Sequence, residues 1–321
     1  MHHTLYLWLI IFVLFALTCK KSPTGNEKQL VRREMVIFAS DRNGGNMNIW
    51  MMEKDGSNPR QLTFYPKGDY WPADISPDGK TLLFNRFDAH TLVTAIYQMP
   101  IDGPQPAEDD ALVTGLTAAG NFFPDGQRFV FTLFTWISDT SGHEAIYIAD
   151  LRDSSAVQIS PYGVANWDPR VSPDGLKICF NQFSDVPANI QLAIMDNDGQ
   201  NRITLTSAEQ GLYAYVGRFS TDGEKVFFTM NRPIGSKDDL YFFCLSNGMI
   251  IHVTGENIND CSNPYPDTSG SKIYFRCGGG ANPNENSEIF VVDIDGKNYT
   301  QLTDNAFRDD MPVVSVVEFL E

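Results

Sequence analysis

Ser76-Pro77-Asp78-Gly79 decides the fold, because the chain repeats this stretch at a nearly constant interval. Its counterparts are Pro124-Asp125-Gly126, Pro173-Asp174-Gly175, Thr221-Asp222-Gly223 and the looser Thr268-Ser269-Gly270. From Asp78 the steps to Asp125, Asp174, Asp222 and Ser269 are 47, 49, 48 and 47 residues. A period of about 40–50 residues built from strand-like segments is the signature of a β-propeller. The tripeptide reads as a tight turn: proline presets φ, aspartate bonds the backbone that follows, and glycine accepts positive φ.

Outward from each turn the same segments follow. First comes a hydrophobic strand, as in Thr81-Leu82-Leu83-Phe84, Arg128-Phe129-Val130-Phe131 and Lys177-Ile178-Cys179-Phe180. After a loop of variable length, a second strand alternates around Ile49-Trp50-Met51, Ile96-Tyr97-Gln98 or Ile289-Phe290-Val291. Then comes a turn such as Asp55-Gly56, Asp102-Gly103, Asp198-Gly199 or Asp295-Gly296, the strongest short hairpin signal. A third strand closes on Gln61-Leu62-Thr63 or Gln301-Leu302-Thr303, and a fourth returns to the Pro-Asp-Gly turn. β-branched and aromatic residues dominate these segments.

Each kind of strand occurs six times. The expected fold is all-β, a six-bladed propeller of four-stranded antiparallel blades over residues 34–321. The first blade starts at Met35–Ser40 without an inner strand, and Pro312–Val317 at the other end of the chain supplies one. Pairing the C-terminal strand with the N-terminal blade closes the ring and leaves only short, protected edges.

Four stretches carry a family likeness: Phe38-Ala39-Ser40-Asp41-Arg42-Asn43-Gly44-Gly45, Asp55-Gly56-Ser57-Asn58, Gln61-Leu62-Thr63 and Ser76-Pro77-Asp78-Gly79-Lys80. They resemble the WD-repeat-like units of TolB-type propellers, and the likeness runs over residues 35–317. It implies the fold and, for function, the docking of a protein or peptide at the channel mouth. Repeats of this kind serve scaffolds and enzymes alike. TolB itself has an α/β domain before its propeller, and prolyl-oligopeptidase relatives have a hydrolase domain after theirs. The expectation here is a propeller alone, preceded by the polar segment Lys20–Arg33.

Leu5–Leu17 is an apolar run of 13 residues, shorter than the roughly 20 that cross a bilayer and sized like a signal h-region. It ends at Ala16-Leu17-Thr18-Cys19 before Lys20-Lys21-Ser22, which resembles a bacterial lipobox. The reading is a signal peptide over 1–18, lipidation at Cys19 and a flexible tether through residue 33, about 45 Å long when extended. Such a protein is held to a membrane of the bacterial envelope, outer membrane included, with its propeller in the periplasm or at the surface.

Forty acidic against 24 basic residues give a net charge of −16, which disfavours nucleic acid and anionic lipid surfaces. A monomer with one large core is expected. Cys261 and Cys277 lie equidistant from Ser269, nearly opposite each other in the expected hairpin, and form a disulfide in an oxidising compartment. Cys179 and Cys244 fall inside strands as small hydrophobes.

Catalytic motifs are missing: there is no Gly-x-Ser-x-Gly, no phosphate loop and no His-Glu-x-x-His. Oligogalacturonate-lyase-like propellers use histidine-rich metal sites, whereas residues 19–321 hold only His90, His143 and His252, the first two read as loop residues. Asp41–Asn46 lacks calcium-loop spacing and reads as a turn. No catalytic residue, metal ligand or cofactor is nominated, and a channel-bound ion such as calcium stays open. Asp74, Arg170 and Arg218 occupy equivalent inner-strand positions, where they form a charged network beside the channel.

The Pro-Asp-Gly and Asp-Gly turns share one face, so the variable loops share the other, where function normally sits. The candidate partner-binding residues there are Asp69, Tyr70, Trp71, Trp136, Trp167, Asp168, Tyr213, Tyr215, Asp309 and Asp310. Exposed aromatics flanked by charge describe a recognition surface. Two classes of function follow: a non-catalytic, lipid-anchored propeller that binds an envelope protein or peptide, or a glycan- or small-ligand-binding protein, including a carbohydrate-active enzyme, using the same face.

Overall fold

The computed structural model describes residues 29–138, 141–161, 164–183, 189–206, 213–231, 237–254, 260–278 and 286–320. The expected signal peptide, Cys19 and most of the expected tether lie outside them. Among the described residues all 24 regular elements are strands.

Four sheets stand alone as antiparallel four-stranded units. One joins β1 (Leu30–Ser40), β2 (Asn48–Glu53) and β3 (Arg60–Gln61) to β24 (Asp309–Leu320); the next runs β4 (Asp69–Ile75), β5 (Thr81–Asp88), β6 (Val93–Pro100), β7 (Val113–Gly115). A third holds β8 (Thr117–Phe122), β9 (Arg128–Ser138), β10 (Ser141–Asp150) and β11 (Ser155–Gln158). A single eight-stranded sheet follows, made of β12 (Asn166–Val171), β13 (Lys177–Phe183), β14 (Ile190–Asp196), β15 (Ile203–Thr204), β16 (Tyr213–Phe219), β17 (Lys225–Asn231), β18 (Asp239–Cys244) and β19 (Ile250–His252). The last sheet is β20 (Cys261–Pro266), β21 (Lys272–Gly278), β22 (Ser287–Asp293) and β23 (Thr300–Gln301).

The arrangement is propeller-like, but the expectation of six separate sheets needs correction. The backbones of Ile190 and Tyr213 meet in one parallel bridge, which fuses β12–β15 with β16–β19. Two further expectations change. Leu30–Arg33, read as tether, extends β1 and pairs with Val317–Leu320 of β24. Thr135–Ala145, read as a loop, belongs largely to the long β9–β10 hairpin.

The turns form for the local reasons their residues suggest. Ser76 donates its hydroxyl to Asp78 Oδ1 at 2.6 Å, the Lys80 amide donates to the same oxygen, and the Thr81 amide donates to Ser76 Oγ. The Ser76 hydroxyl thereby holds the Asp78 carboxyl below its usual range. Ser172 with Asp174 and Ser220 with Asp222 repeat the arrangement. Gly79 has φ +78°, and a Cβ there would lie 2.4 Å from the Val316 carbonyl oxygen of β24.

The core sits between successive four-strand units. Phe123, Val130 and Ile146 meet Val171, Ile178 and Phe180, and Cys179 and Leu192 meet Phe219, Val226 and Phe228. At the closure Val36, Phe38 and Val314 pack on Tyr274, Ile289 and Val291, while Ile37, Met51 and Val317 pack on Tyr70, Phe84 and Tyr97. These side chains are buried, each contributing about 1.5–3 kcal/mol, so successive sheets are held rigidly around a central axis.

Candidate functional site: the central channel and its rims

Each inner strand carries an extra residue at the same place. Register shifts fall between Pro72 and Asp74, Ala119 and Phe122, Trp167 and Arg170, Tyr215 and Arg218, and Ser262 and Tyr265; β24 shifts where it faces Ile37 and Ala39. A bulge re-aims the side chains beside it. Within these bulges Asp168, Asn263 and Met311 take φ of +53°, +57° and +51°, a conformation that non-glycine residues seldom adopt.

The strand positions at the edge of the bulge carry Asp74, Asn121, Arg170, Arg218 and Tyr265, and all five line a cavity of about 300 Å³. Pro77, Pro124, Pro173 and Thr221 from the tight turns border it, so it opens on the turn side. A smaller cavity of about 130 Å³ lies on the loop side against Asp168, Asn263 and Met311. Arg170, Arg218 and Tyr265 border both cavities and form the waist of the channel.

The polar groups here are unequally satisfied. Asp74 Oδ1 accepts the Tyr265 hydroxyl at 2.8 Å, and Oδ2 accepts the Phe122 amide at 2.9 Å. Burial raises the Asp74 carboxyl pKa, partly offset by the Arg218 charge. The Arg218 guanidinium lies 3.8 Å from the Tyr265 ring centre, and burial lowers its pKa. Asn121 Oδ1 accepts the Val171 amide at 2.7 Å. Arg170 donates to the Pro169 carbonyl at 2.9 Å and approaches Asp168 at 3.8 Å.

The residues nominated from sequence scatter. Tyr70 is only 1% exposed and stacks on Tyr65 with ring centres 4.0 Å apart, so it belongs to the core and not to a binding face. Asp309 is completely buried, with both oxygens accepting from Arg42 Nη2 at 2.8 and 2.7 Å and a further bond from Asn305. A partner can reach neither residue. Trp71 is half-buried beside Phe87, ring centres 6.3 Å apart, and Asp69 accepts the Met47 amide. Trp167 and Tyr213 are half-buried; Tyr215 donates its hydroxyl to Asp238. Asp310 faces Arg276 at 3.5 Å, and burial raises its pKa. The Trp136 side chain lies outside the described residues.

Cys261 and Cys277 are direct partners across the β20–β21 ladder and form a disulfide with Cα atoms 4.2 Å apart. His143, expected in a loop, lies in β10 and is 5% exposed. His90 is exposed, and His252 stacks on Tyr241 at 4.7 Å. Asp41 accepts the Arg308 amide and Nε, both at 2.8 Å. Among the described residues no group of three or more His, Cys, Asp or Glu is gathered as metal ligands. Sequence reasoning paired Asp74 with the two arginines but missed Tyr265 and Asn121. Aligning the five turns residue by residue would have found both.

No protein-family model matches the chain. An uncharacterized protein of Agrobacterium fabrum is 28% identical over 199 residues, covering 59% of this chain and 64% of that protein. TolB from Acinetobacter baumannii is similar with a TM-score of 0.66 and 19% identity, over 87% of this chain and 66% of that one. A structure from Agrobacterium tumefaciens assigned to TolB matches at a TM-score of 0.65 and 18% identity, over 90% of this chain and 99% of that one. The chain thus spans just under two thirds of the first two proteins' lengths. At these identities the structural likeness establishes a shared TolB-type propeller fold.

Proposed function

We propose that this chain is a non-catalytic, lipid-anchored propeller of six blades that docks an envelope protein or peptide on its loop-rich face. The observation that carries the reading is an uneven apolar surface. Phe64, Leu92, Leu116, Phe307 and Met311 are 66, 61, 47, 39 and 36% exposed, and all sit in loops or strand ends of that face. On the opposite face Leu176 and Met249 are exposed in turns, and Leu30 and Leu320 pair at the strand ends of β1 and β24, so the apolar residues there are fewer than the loop-face set. Apolar anchors among rim carboxylates such as Asp168 and Asp310 suit a protein surface.

Six blades are supported by the strand order, since β12–β15 and β16–β19 each repeat the four-strand plan and touch through one backbone bridge. The anchor rests on the lipobox-like Cys19, and a protein partner is in keeping with the TolB-type fold. The test is crosslinking in cells, comparing wild type with Phe307→Ser/Met311→Ser after circular dichroism shows both folded. One protein captured by wild type and lost by the variant supports the reading; equal capture overturns the interface. Cys19→Ser should release the protein from the membrane fraction, and retention there would overturn the anchor.

A further inference from the structure

The waist of the channel holds a concentration of positive charge that a protein of net charge −16 has little general reason to bury. The ionisable side chains lining the turn-side cavity are Arg170, Arg218, Asp74 and Tyr265. Asp74 offsets part of the Arg218 charge but forms no ion pair with either arginine; its oxygens accept from the Tyr265 hydroxyl and the Phe122 amide. Among the described residues Arg218 makes no ion pair or hydrogen bond, and its guanidinium lies over the Tyr265 ring face. Stacking of that kind uses the flat face of the guanidinium and leaves its N–H edge free to bind. Arg170 spends one nitrogen on the Pro169 carbonyl and meets Asp168 only at 3.8 Å, towards the loop side.

We propose that the turn-side cavity is a binding site for a small oxyanion, a carboxylate or phosphate group held between Arg170 and Arg218. The guanidinium edge matches the two oxygens of such a group, and concave walls strengthen the attraction. A volume of about 300 Å³ admits a free small molecule from the turn side. Tyr265 orients the site: its ring supports Arg218 while its hydroxyl donates to Asp74. The site lies across the waist from the loop face, so it stands or falls independently of partner docking there.

Calorimetric titration of the full-length protein with citrate, and separately with inorganic phosphate, tests this against sodium chloride of matched ionic strength. Wild type should bind at least one of the two and not respond to chloride. Arg218→Gln and Arg170→Gln should each weaken binding by roughly tenfold or more. Arg218→Lys, which keeps the charge but loses the fork, should fall between and serves if the glutamine variant fails to fold. The arm that binds identifies carboxylate or phosphate as the ligand group. No binding of either anion, or affinities unchanged in the folded arginine variants, overturns the site.

Discussion

Removing one side chain, Arg42, should weaken the whole ring. Arg42 follows β1, and its partner Asp309 begins β24, so the pair joins the two ends of the described chain. Arg42 Nη2 reaches both Asp309 oxygens at 2.8 and 2.7 Å, and its Nε reaches Ser40 Oγ at 3.0 Å. The guanidinium also lies over Phe38 and Trp50, 5.1 and 4.9 Å from their ring centres. Side-chain exposure is 16% for Arg42 and 0% for Asp309, so solvent screens the pair little. Arg42→Met would leave a fully buried carboxylate with Asn305 as its remaining side-chain donor. Breaking a buried pair from one side costs roughly 3–5 kcal/mol, and the Asn305 bond places the expectation near the lower end, about 3 kcal/mol. At about 2 °C per kcal/mol for a domain of this size, Tm should fall by about 6 °C.

Equilibrium urea unfolding followed by circular dichroism reads this directly, with an unchanged m-value as the control for an intact native state. Asp309→Asn in the Arg42→Met background removes the stranded charge. The double variant should therefore be more stable than the single costs add up to, by about 2 kcal/mol. A loss below about 1 kcal/mol, the scale of a surface ion pair, would refute the closure role. Strict additivity in the double variant would refute it equally.

Three further outcomes are expected. Replacing Cys261 and Cys277 with serine opens a crosslink spanning 16 residues and should cost roughly 3 kcal/mol; urea midpoints equal to those of the wild type would contradict this. Burial raises the Asp74 pKa, so the folded state holds that proton more tightly than the unfolded one, and this contribution to stability fades as pH rises through the raised value. The Tm of Asp74→Asn relative to wild type should accordingly rise from about pH 4 upward, and a relative Tm that falls with pH would be the wrong sign. Burial pushes the Cys179 thiol up to about 12, so it should resist a thiol reagent at about pH 8 until the protein unfolds, while half-buried Cys244 reacts in the native state; rapid native labelling of Cys179, mapped by mass spectrometry, would contradict this.

What the sequence made legible was whatever depends on a few neighbouring residues. A Pro-Asp-Gly turn is determined within six residues, as the bonds among Ser76, Asp78, Lys80 and Thr81 show. Counting strands was then enough to pair the ends, and β1 and β24 do pair. The fused eight-stranded sheet was not legible, because it depends on how near Ile190 comes to Tyr213 once neighbouring units have packed. Two short segments of polar or mixed character, Leu30–Arg33 and Thr135–Ala145, were misread because strand extension there depends on a partner strand already in place.

The rim shows the same limit more sharply. Tyr70 and Trp71, or Asp309 and Asp310, are adjacent in sequence, yet one of each pair is fully buried and the other partly open. In a strand, neighbours point to opposite faces, so a one-residue change of register exchanges them. Every inner strand makes that change at its bulge, midway between rim and waist. Reading inward from the loops therefore assigns the wrong side chains to the surface, while reading outward from the Pro-Asp-Gly turns stays in register as far as Asp74, Asn121, Arg170, Arg218 and Tyr265. Those five come from five different strands and converge because each stands four residues before its turn's aspartate, or before Ser269 in the last repeat. Strand symmetry places them at one level of the channel, and their chemistry varies from repeat to repeat. That variation, imposed on a rigid and regular frame, gives the waist its uneven charge and makes it a place where a ligand can be selected.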